Sequence, residues 1–405
     1  MLAEERIKVR DLAKHAAAIA MDEQRMKPIL QRWRDVNSLR KPDRAPVWCR
    51  PVGCWREILP PESLHCEDPY LRGWEVEFRR LLHKRDIDDD TPVEPYFTVS
   101  AAFDVEPANL WGVEVGRHAA TGPGGAWAYD PPLKTAKDFD QLRLPTFKLN
   151  EKKTNERFEQ ASDLLGDILP VVVAYHAPLG ATLGTPAADL RGLEQMMMDA
   201  IAEPDLLHRL MAYLRDATLG AMDAVEATGK TTPNTYGPMY CSDPIDSPDA
   251  AGRFSLKNCW CVANSQEFDQ VSPRMWEAYC LNYQKPIFER FGQVAYGCCE
   301  NLTKKVKGVL SIPNLRILVC SAWSNLDAIM DAAGNNPTIM WRQKASDVVF
   351  PKDTETIIRD LENGMKKLQG RYYQVVLREL ETLDGKPDRL HVWSRHAKDI
   401  AEKYA

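Results

Sequence analysis

The second half of the chain alternates short apolar runs with longer segments whose apolar residues recur at helical spacing. The apolar runs are rich in β-branched and aromatic residues, which is typical of buried strands. They lie at 169–175, 259–263, 294–296, 315–319, 337–341 and 372–377. Helical patterns separate them, among them 205–228, 326–334 and 354–368. This rhythm predicts repeated βα units and a parallel sheet.

Two earlier extended runs, at 46–53 and 95–99, precede that region. The number of units and the chain length predict an α/β fold of the (β/α)8 TIM-barrel type. Residues 1–40 are charged and helical in pattern, with Leu12, Ala16 and Ile19 on one face. We therefore predict an N-terminal helical extension at 1–40, outside the main sheet, and a barrel at 41–405.

Composition narrows the possible functions. The chain has 405 residues, of which 44% are hydrophobic and 27% charged, with a formal net charge of -6. These values fit a folded protein with a sizeable core and give no support for nucleic-acid binding. No apolar stretch is long enough for a membrane span, and no signal-peptide core is present, so we predict a cytoplasmic protein. The ten cysteines are then expected to be thiols or ligands.

The strongest candidate for chemistry is the run Tyr296-Gly297-Cys298-Cys299-Glu300, which ends a predicted strand. Thiolates bind zinc and similar metals. Cys320 ends the next strand, and Glu267 follows the strand before, so parallel strands would bring all three to one edge of the sheet. We predict Cys298, Cys320 and Glu267 as metal ligands, with Glu300 as an alternative carboxylate. Alternation along a strand predicts that Cys299 faces away from Cys298.

Other strand ends supply further candidates. We predict His176, Glu267 and Glu300 as catalytic acids, bases or ligands, and Arg50, Tyr296 and Trp323 as substrate-binding residues. Each has a structural alternative. The carboxylates could support loops, His176 could cap a strand end, Arg50 could pair with an acid, and the aromatic side chains or thiols could be ordinary core residues.

Three stretches carry a family resemblance: Pro46-Val47-Trp48-Cys49-Arg50, 192–208, and Ser272-Pro273 with the later Tyr-Gly-Cys strand end. Through them the chain resembles the uroporphyrinogen decarboxylase superfamily. It covers about 40–400 and implies a (β/α)8 barrel. The metal-free decarboxylases of this superfamily continue the early motif as Arg-Gln-Ala-Gly-Arg. This chain reads Arg50-Pro51-Val52-Gly53-Cys54, which argues against a porphyrin substrate.

The other branch consists of methyltransferases that hold zinc through a His-x-Cys strand end and pass methyl groups to corrinoid proteins. Tyr296-Gly297-Cys298 takes that position here, with the histidine replaced. The resemblance implies a zinc-assisted methyltransferase that demethylates a small compound, possibly an aromatic methyl ether, with cobalamin on a partner corrinoid protein. The alternatives are a metal-free decarboxylase of a small carboxylated substrate and a non-catalytic barrel that binds a ligand. The superfamily also implies a homodimer.

Overall fold

The computed structural model describes residues 2–118 and 128–405. The N-terminal residues form two helices, α1 (Leu2–Ala20) and α2 (Glu23–Asn37). Asp22 caps α2, because its side chain accepts a hydrogen bond from the backbone N–H of Arg25 at 3.1 Å. The helical pattern predicted for 1–40 is thus present as two helices, while the division into an extension and a barrel stays a prediction.

The described residues contain twelve strands in all. They are β1 (Val47–Pro51), β2 (Phe97–Ser100), β3 (Phe103–Glu106), β4 (Gly116–His118), β5 (Ala128–Asp130), β6 (Thr146–Leu149), β7 (Val171–Ala174), β8 (Trp260–Ala263), β9 (Gln293–Tyr296), β10 (Leu315–Cys320), β11 (Thr338–Gln343) and β12 (Tyr373–Leu380). Eight of them match the predicted strands. The short strands β3 to β6 lie in a region whose sequence had no clear periodicity.

Helices separate most of these strands. They are α3 (Trp55–Ile58), α4 (Pro69–Ile87), α5 (Glu151–Leu165), α6 (Gly184–Arg191), α7 (Leu193–Ala202), α8 (Pro204–Ala227), α9 (Pro273–Trp276), α10 (Asn282–Phe288), α11 (Val306–Val309), α12 (Leu326–Ala333), α13 (Ser346–Val349), α14 (Glu355–Leu368) and α15 (Arg389–Lys403). A π-helical turn at Glu277–Leu281 joins α9 to α10. Ser272 caps α9, because its hydroxyl accepts a hydrogen bond from the N–H of Met275.

Six strands form one curled parallel sheet in the order β1-β12-β11-β10-β9-β8. Strands β2 and β7 form a separate parallel pair, while β3–β6 and β4–β5 are antiparallel pairs. The observed fold is thus α/β with a parallel half-barrel. The backbone ladders of the described strands do not join β2 and β7 to the six-stranded sheet, so the closed eight-stranded barrel stays a prediction.

The two faces of the six-stranded sheet belong to different cores. Alternate residues such as Val294, Leu318 and Cys320 pack in the large cluster that includes the surrounding helices. The residues between them pack in a second cluster with α2 and residues around Met239. Because side chains alternate along a strand, this division identifies which positions line the inside of the curl.

Helix α2 covers one end of this inner cluster. The Trp33 side chain is fully buried there, and its indole N–H donates to the carbonyl of Asp90 at 2.6 Å. The Asp90 carboxylate accepts hydrogen bonds from Arg32, Arg44 and the backbone N–H of Val47 in β1. Trp33 is therefore a core residue of the single chain and is not available at a dimer interface.

The buried Glu75 side chain in α4 should make stability depend on pH in acid. Burial alone would raise its pKa, but hydrogen bonds from the backbone N–H groups of Cys66 and His65 lower that pKa from 4.5 to about 2. The folded state therefore gains about 3 kcal/mol above pH 4.5, and this gain is lost as the pH falls toward 2. We expect urea unfolding of Glu75→Gln to show a weaker loss of stability between pH 6 and pH 3 than the unmodified chain. Equal losses in the two proteins would contradict the prediction.

None of the helices in the described ranges is both long enough and apolar enough to cross a membrane.

Candidate functional site

The loop after β9 brings two thiols together. Gly297 has φ of +111°, a conformation that favours glycine, and a Cβ there would lie 2.9 Å from the Cβ of Val319. Directly after it, the Cys298 and Cys299 sulfurs lie 3.6 Å apart. The prediction that they face opposite sides is therefore wrong, because the chain leaves the extended conformation at Gly297 and strand alternation ends there.

The Cys298 sulfur accepts a hydrogen bond from Arg378. The distance from Arg378 Nη1 to Cys298 Sγ is 2.9 Å. The hydrogen bond from Cys299 and the positive charges of Arg378 and Arg342 lower the pKa of Cys298 from 9.0 to about 5, although burial opposes this. The pKa of Cys299 is raised, chiefly because its proton is shared with Cys298. Both shifts place the negative charge of the pair on Cys298 and the proton on Cys299.

Arg342 and Glu379 form hydrogen bonds with this thiol pair and with each other. Arg342 Nη1 donates to the Cys298 carbonyl at 2.8 Å and to Glu379 Oε1 at 2.7 Å. The Cys299 sulfur lies 3.3 Å from the same carboxylate oxygen, so its one S–H group can point to that oxygen or to Cys298. Glu379 has φ of +61°, which is uncommon for a residue with a side chain, and its Oε2 atom is buried without a hydrogen-bond partner in the described structure. Such local strain is typical of functional sites.

Three arginines share the inner face of the sheet. Met340 and Val376 pack inside the curl, so Arg342 and Arg378, two residues further along their strands, point the same way. Arg50 follows Trp48 in β1 by the same rule and lies 5.6 Å from its ring centroid. Partial burial and the charges of Arg378 and Arg342 lower the pKa of Arg50.

The charge in this site is unbalanced. In the part of the chain that the structure describes, neither Arg50 nor Arg378 forms an ion pair with a carboxylate. Tyr240 lies close enough for the three arginines and Cys298 to affect its titration, and burial, the largest influence, raises its pKa. The arrangement thus offers the Arg50 guanidinium, which has no anionic partner among the described residues, and the Arg378 guanidinium, whose partner is the Cys298 sulfur. With the Tyr240 hydroxyl, these two cations can bind a small anion.

Glu300 lies next to this group, but its carboxylate is already hydrogen-bonded to backbone N–H groups. Its carboxylate accepts from the N–H of Ser265 at 2.8 Å and from the N–H of Cys298 at 2.9 Å. Its own carbonyl accepts from the Ser321 hydroxyl. Burial raises the pKa of Glu300. The residue therefore ties together the loops that follow β8, β9 and β10.

Glu267 and His176 lie elsewhere at the strand ends. Glu267 Oε1 accepts from the Thr185 hydroxyl at 2.6 Å, at the start of α6. His176 follows β7, its Nε2 is buried without a partner in the described residues, and burial lowers its pKa. No hydrogen bond or ion pair within 2–118 and 128–405 joins either residue to Cys298. The structure therefore does not assemble the predicted catalytic set around the thiols.

The predicted zinc ligands are not brought together. Cys320 is fully buried in the helix-facing core, and burial raises its pKa to about 12. Glu267 contacts Thr185 instead, and Cys298 is held by two cationic guanidinium groups. Nowhere in the described ranges do three His, Cys, Asp or Glu side chains form a group that could hold a metal ion. The set Cys298, Cys320 and Glu267 does not fit zinc, because Cys320 faces the other side of the sheet.

The two predicted aromatic residues differ in position. Tyr296 is fully buried against Trp276 and Phe288, and its hydroxyl donates to Gln284 at 3.0 Å. It lies in the core and not at the site. Trp323 is 51% exposed and lines a cleft of about 810 Å³ together with Cys299. We call this the rim cleft, and it is lined by 269–273, Cys299, Asn301, 303–305, Trp323 and Asn325.

Sequence reasoning did not single out Arg342, Arg378, Glu379 or Tyr240 for this site. The sequence does contain a signal for Arg342 and Arg378. An arginine within an otherwise apolar strand, as in Ile339-Met340-Trp341-Arg342, must be buried with a partner or serve a ligand. No comparable signal marks Tyr240, which lies in a long loop.

Comparison with known proteins gives one useful likeness. The structure is similar to that of a methyltransferase from Methanosarcina mazei, with a TM-score of 0.53, and the match covers 91% of this chain and 98% of that one. The two chains are 11% identical, so the likeness concerns the fold. No protein-family model and no curated protein matches the sequence.

Proposed function

We propose that this protein transfers a methyl group from a small anionic methylated compound to a corrinoid protein. One observation carries the proposal: Arg50 and Arg378 lack carboxylate partners in the described structure and face the inside of the curled sheet beside the Cys298 thiolate. Parallel α/β folds bind ligands at the carboxyl ends of their strands, where this group lies. The likeness of the fold to a methyltransferase and the resemblance to the uroporphyrinogen decarboxylase superfamily support methyl transfer.

We also propose that the eight parallel strands close into a (β/α)8 barrel. Two side-chain bridges support closure. On one side, the Asp89 and Asp90 carboxylates accept from the N–H groups of Cys49 and Val47 in β1. On the other, Thr232 bonds to Tyr175 after β7, and Asn234 accepts from the N–H of Trp260 in β8. Such bridges span gaps where backbone ladders are missing.

In the proposed reaction Arg50 and Arg378 bind the carboxylate of the methyl donor. Charge-assisted hydrogen bonds from two guanidinium groups would fix the donor and orient its methyl group toward the open end of the sheet. Tyr240 is kept protonated because burial raises its pKa, so its hydroxyl can donate to the leaving oxygen as the methyl–oxygen bond breaks. Trp323 and the rim cleft provide a surface at which the acceptor protein could approach. Zinc has no part in this proposal, since the predicted ligands do not meet.

The test uses a set of methoxylated aromatic acids as donors and free cob(I)alamin as acceptor. We expect formation of methylcobalamin, followed by its absorbance, with at least one acidic donor and not with the corresponding neutral ethyl ester. The ethyl ester is the matched control, because it removes the carboxylate and keeps the methoxyl group as the one methyl donor in the molecule. Equal rates with acid and ester would contradict the role of the arginines.

Metal-free decarboxylation of a small carboxylated substrate is the second candidate. The same unpaired arginines favour it, because they could hold one carboxylate while another leaves as carbon dioxide. The methoxylated acids distinguish the two: release of carbon dioxide without methylcobalamin would favour the decarboxylase.

Homodimer formation also stays a prediction, which sedimentation at micromolar concentration would test.

A further inference from the structure

The thiol pair has a property that the proposed methyl transfer does not use. Cys298 and Cys299 are consecutive residues whose sulfurs lie 3.6 Å apart, and this is the one sulfur–sulfur hydrogen bond within residues 2–118 and 128–405. All ten cysteines are free. A disulfide requires sulfurs about 2 Å apart, which a shift of roughly 1.5 Å would achieve here. Because consecutive Cα atoms lie about 3.8 Å apart, closer than in most disulfides, the bond would close a strained ring and be readily reduced.

We propose that Cys298 and Cys299 form an oxidisable dithiol that a small hydroperoxide converts into a disulfide between neighbouring residues. The two sulfurs have different surroundings, which gives each a separate part in the reaction. Cys298 accepts from Arg378 at 2.9 Å and is the attacking sulfur. The Cys299 sulfur lies 3.3 Å from Glu379 Oε1 and is the sulfur that closes the disulfide.

The reaction balances without a metal. The Cys298 thiolate attacks the terminal oxygen of the hydroperoxide, the oxygen–oxygen bond breaks, and the other oxygen leaves as an alkoxide. Solvent returns to this alkoxide the proton that Cys298 had released, which gives the alcohol. Cys298 is then a sulfenic acid. The Cys299 sulfur next attacks the Cys298 sulfur, hydroxide leaves, and the Cys299 proton, passed through the Glu379 carboxylate, converts it to water. Two thiols and one hydroperoxide thus give one disulfide, one alcohol and one water.

Electrostatics favour this chemistry over metal binding at the same sulfurs. A cation placed between Cys298 and Cys299 would lie beside the guanidinium groups of Arg378 and Arg342, which repel it. The same two charges stabilise a thiolate, the form that reacts with peroxides. Cys299 lines the rim cleft, and Cys298, which is 8% exposed, has its sulfur 3.6 Å from that of Cys299, whereas Cys320 is fully buried. The rim cleft is therefore the route by which we expect a small peroxide to reach Cys298.

The test treats the whole protein with hydrogen peroxide and counts thiols after denaturation. We expect loss of two thiols per chain, a mass decrease of two hydrogen atoms in the peptide that holds both cysteines, and recovery with a dithiol reductant. The peptide that holds Cys298 should be oxidised at least about tenfold faster than the peptide that holds Cys320.

Two variants separate the roles of the sulfurs. In Cys299→Ser the sulfenic acid at Cys298 has no thiol to react with, so dimedone should label Cys298. In Cys298→Ser the fast thiol loss should disappear, and in the control Cys320→Ser it should remain. Oxidation of Cys298 no faster than that of Cys320, or absence of the dimedone adduct in Cys299→Ser, would overturn the proposal. Because the readouts are thiol counts and masses, they do not depend on methyl transfer.

Discussion

Replacing Arg378 with methionine is expected to raise the pKa of Cys298 by roughly 1–2 units from its value of about 5. The substitution removes both the hydrogen bond from Nη1 and the nearer of the stabilising charges, while the hydrogen bond from Cys299 and the charge of Arg342 remain. The thiolate should then form only at higher pH.

The measurement is the pH dependence of iodoacetamide alkylation at Cys298, followed by mass spectrometry of the peptide. Only the thiolate reacts, so the midpoint of the profile reports the pKa directly and does not depend on the intrinsic reactivity of each thiolate. Arg378→Lys retains a positive charge and should shift the midpoint less. Arg359→Met, on an exposed helix surface, is the control. A midpoint that stays near 5 in Arg378→Met would show that Arg378 does not stabilise the thiolate.

The same substitution bears on the proposed substrate. Arg50 would remain as the sole guanidinium without a carboxylate partner at the inner face, so binding of an acidic methyl donor should weaken while binding of a neutral ester should not change. Alkylation and donor binding therefore test two separate properties of one side chain.

Much of the fold could be predicted from periodicity. The eight runs that became β1, β2 and β7 to β12 are apolar because at least one face of each strand packs against helices or the inner cluster; in β2 and β7 these contacts are made by Phe97 and Val171. Strands β3 to β6 were missed because they form small antiparallel pairs outside the six-stranded sheet, and their described side chains are half-buried or exposed. Without a buried face, a strand has no strong hydrophobic pattern.

The site was less predictable, and Cys320 and Cys299 show why. Both predictions assumed that position along a strand decides which way a side chain points. Cys320 is still within β10, so alternation places it beside Leu318 on the helix-facing side. Cys299 lies beyond β9, where the positive φ of Gly297 turns the chain and brings its sulfur back to Cys298. The end of the strand, which sequence locates only to within a few residues, decides between the two cases.

Arg342→Met is expected to destabilise the protein by about 3–5 kcal/mol, the range seen when one member of a buried ion pair is removed. The Arg342 side chain is 1% exposed and pairs with Glu379 at 2.7 Å. Methionine has a similar length and fills much of the same space, so the loss is mainly electrostatic. Glu379 would keep a carboxylate with one oxygen already unpartnered, close to the Cys298 thiolate.

The double variant Arg342→Met with Glu379→Gln distinguishes charge from packing. Replacing the unpaired Glu379 carboxylate by a neutral amide should recover part of the stability. We therefore expect the double variant to be more stable than Arg342→Met alone by about 1–2 kcal/mol. The free energy of unfolding of both variants is measured in urea. The comparison is valid when the slope of that free energy against urea concentration is the same in the two proteins. A double variant as unstable as Arg342→Met would mean that Arg342 acts through packing and its bond to the Cys298 carbonyl.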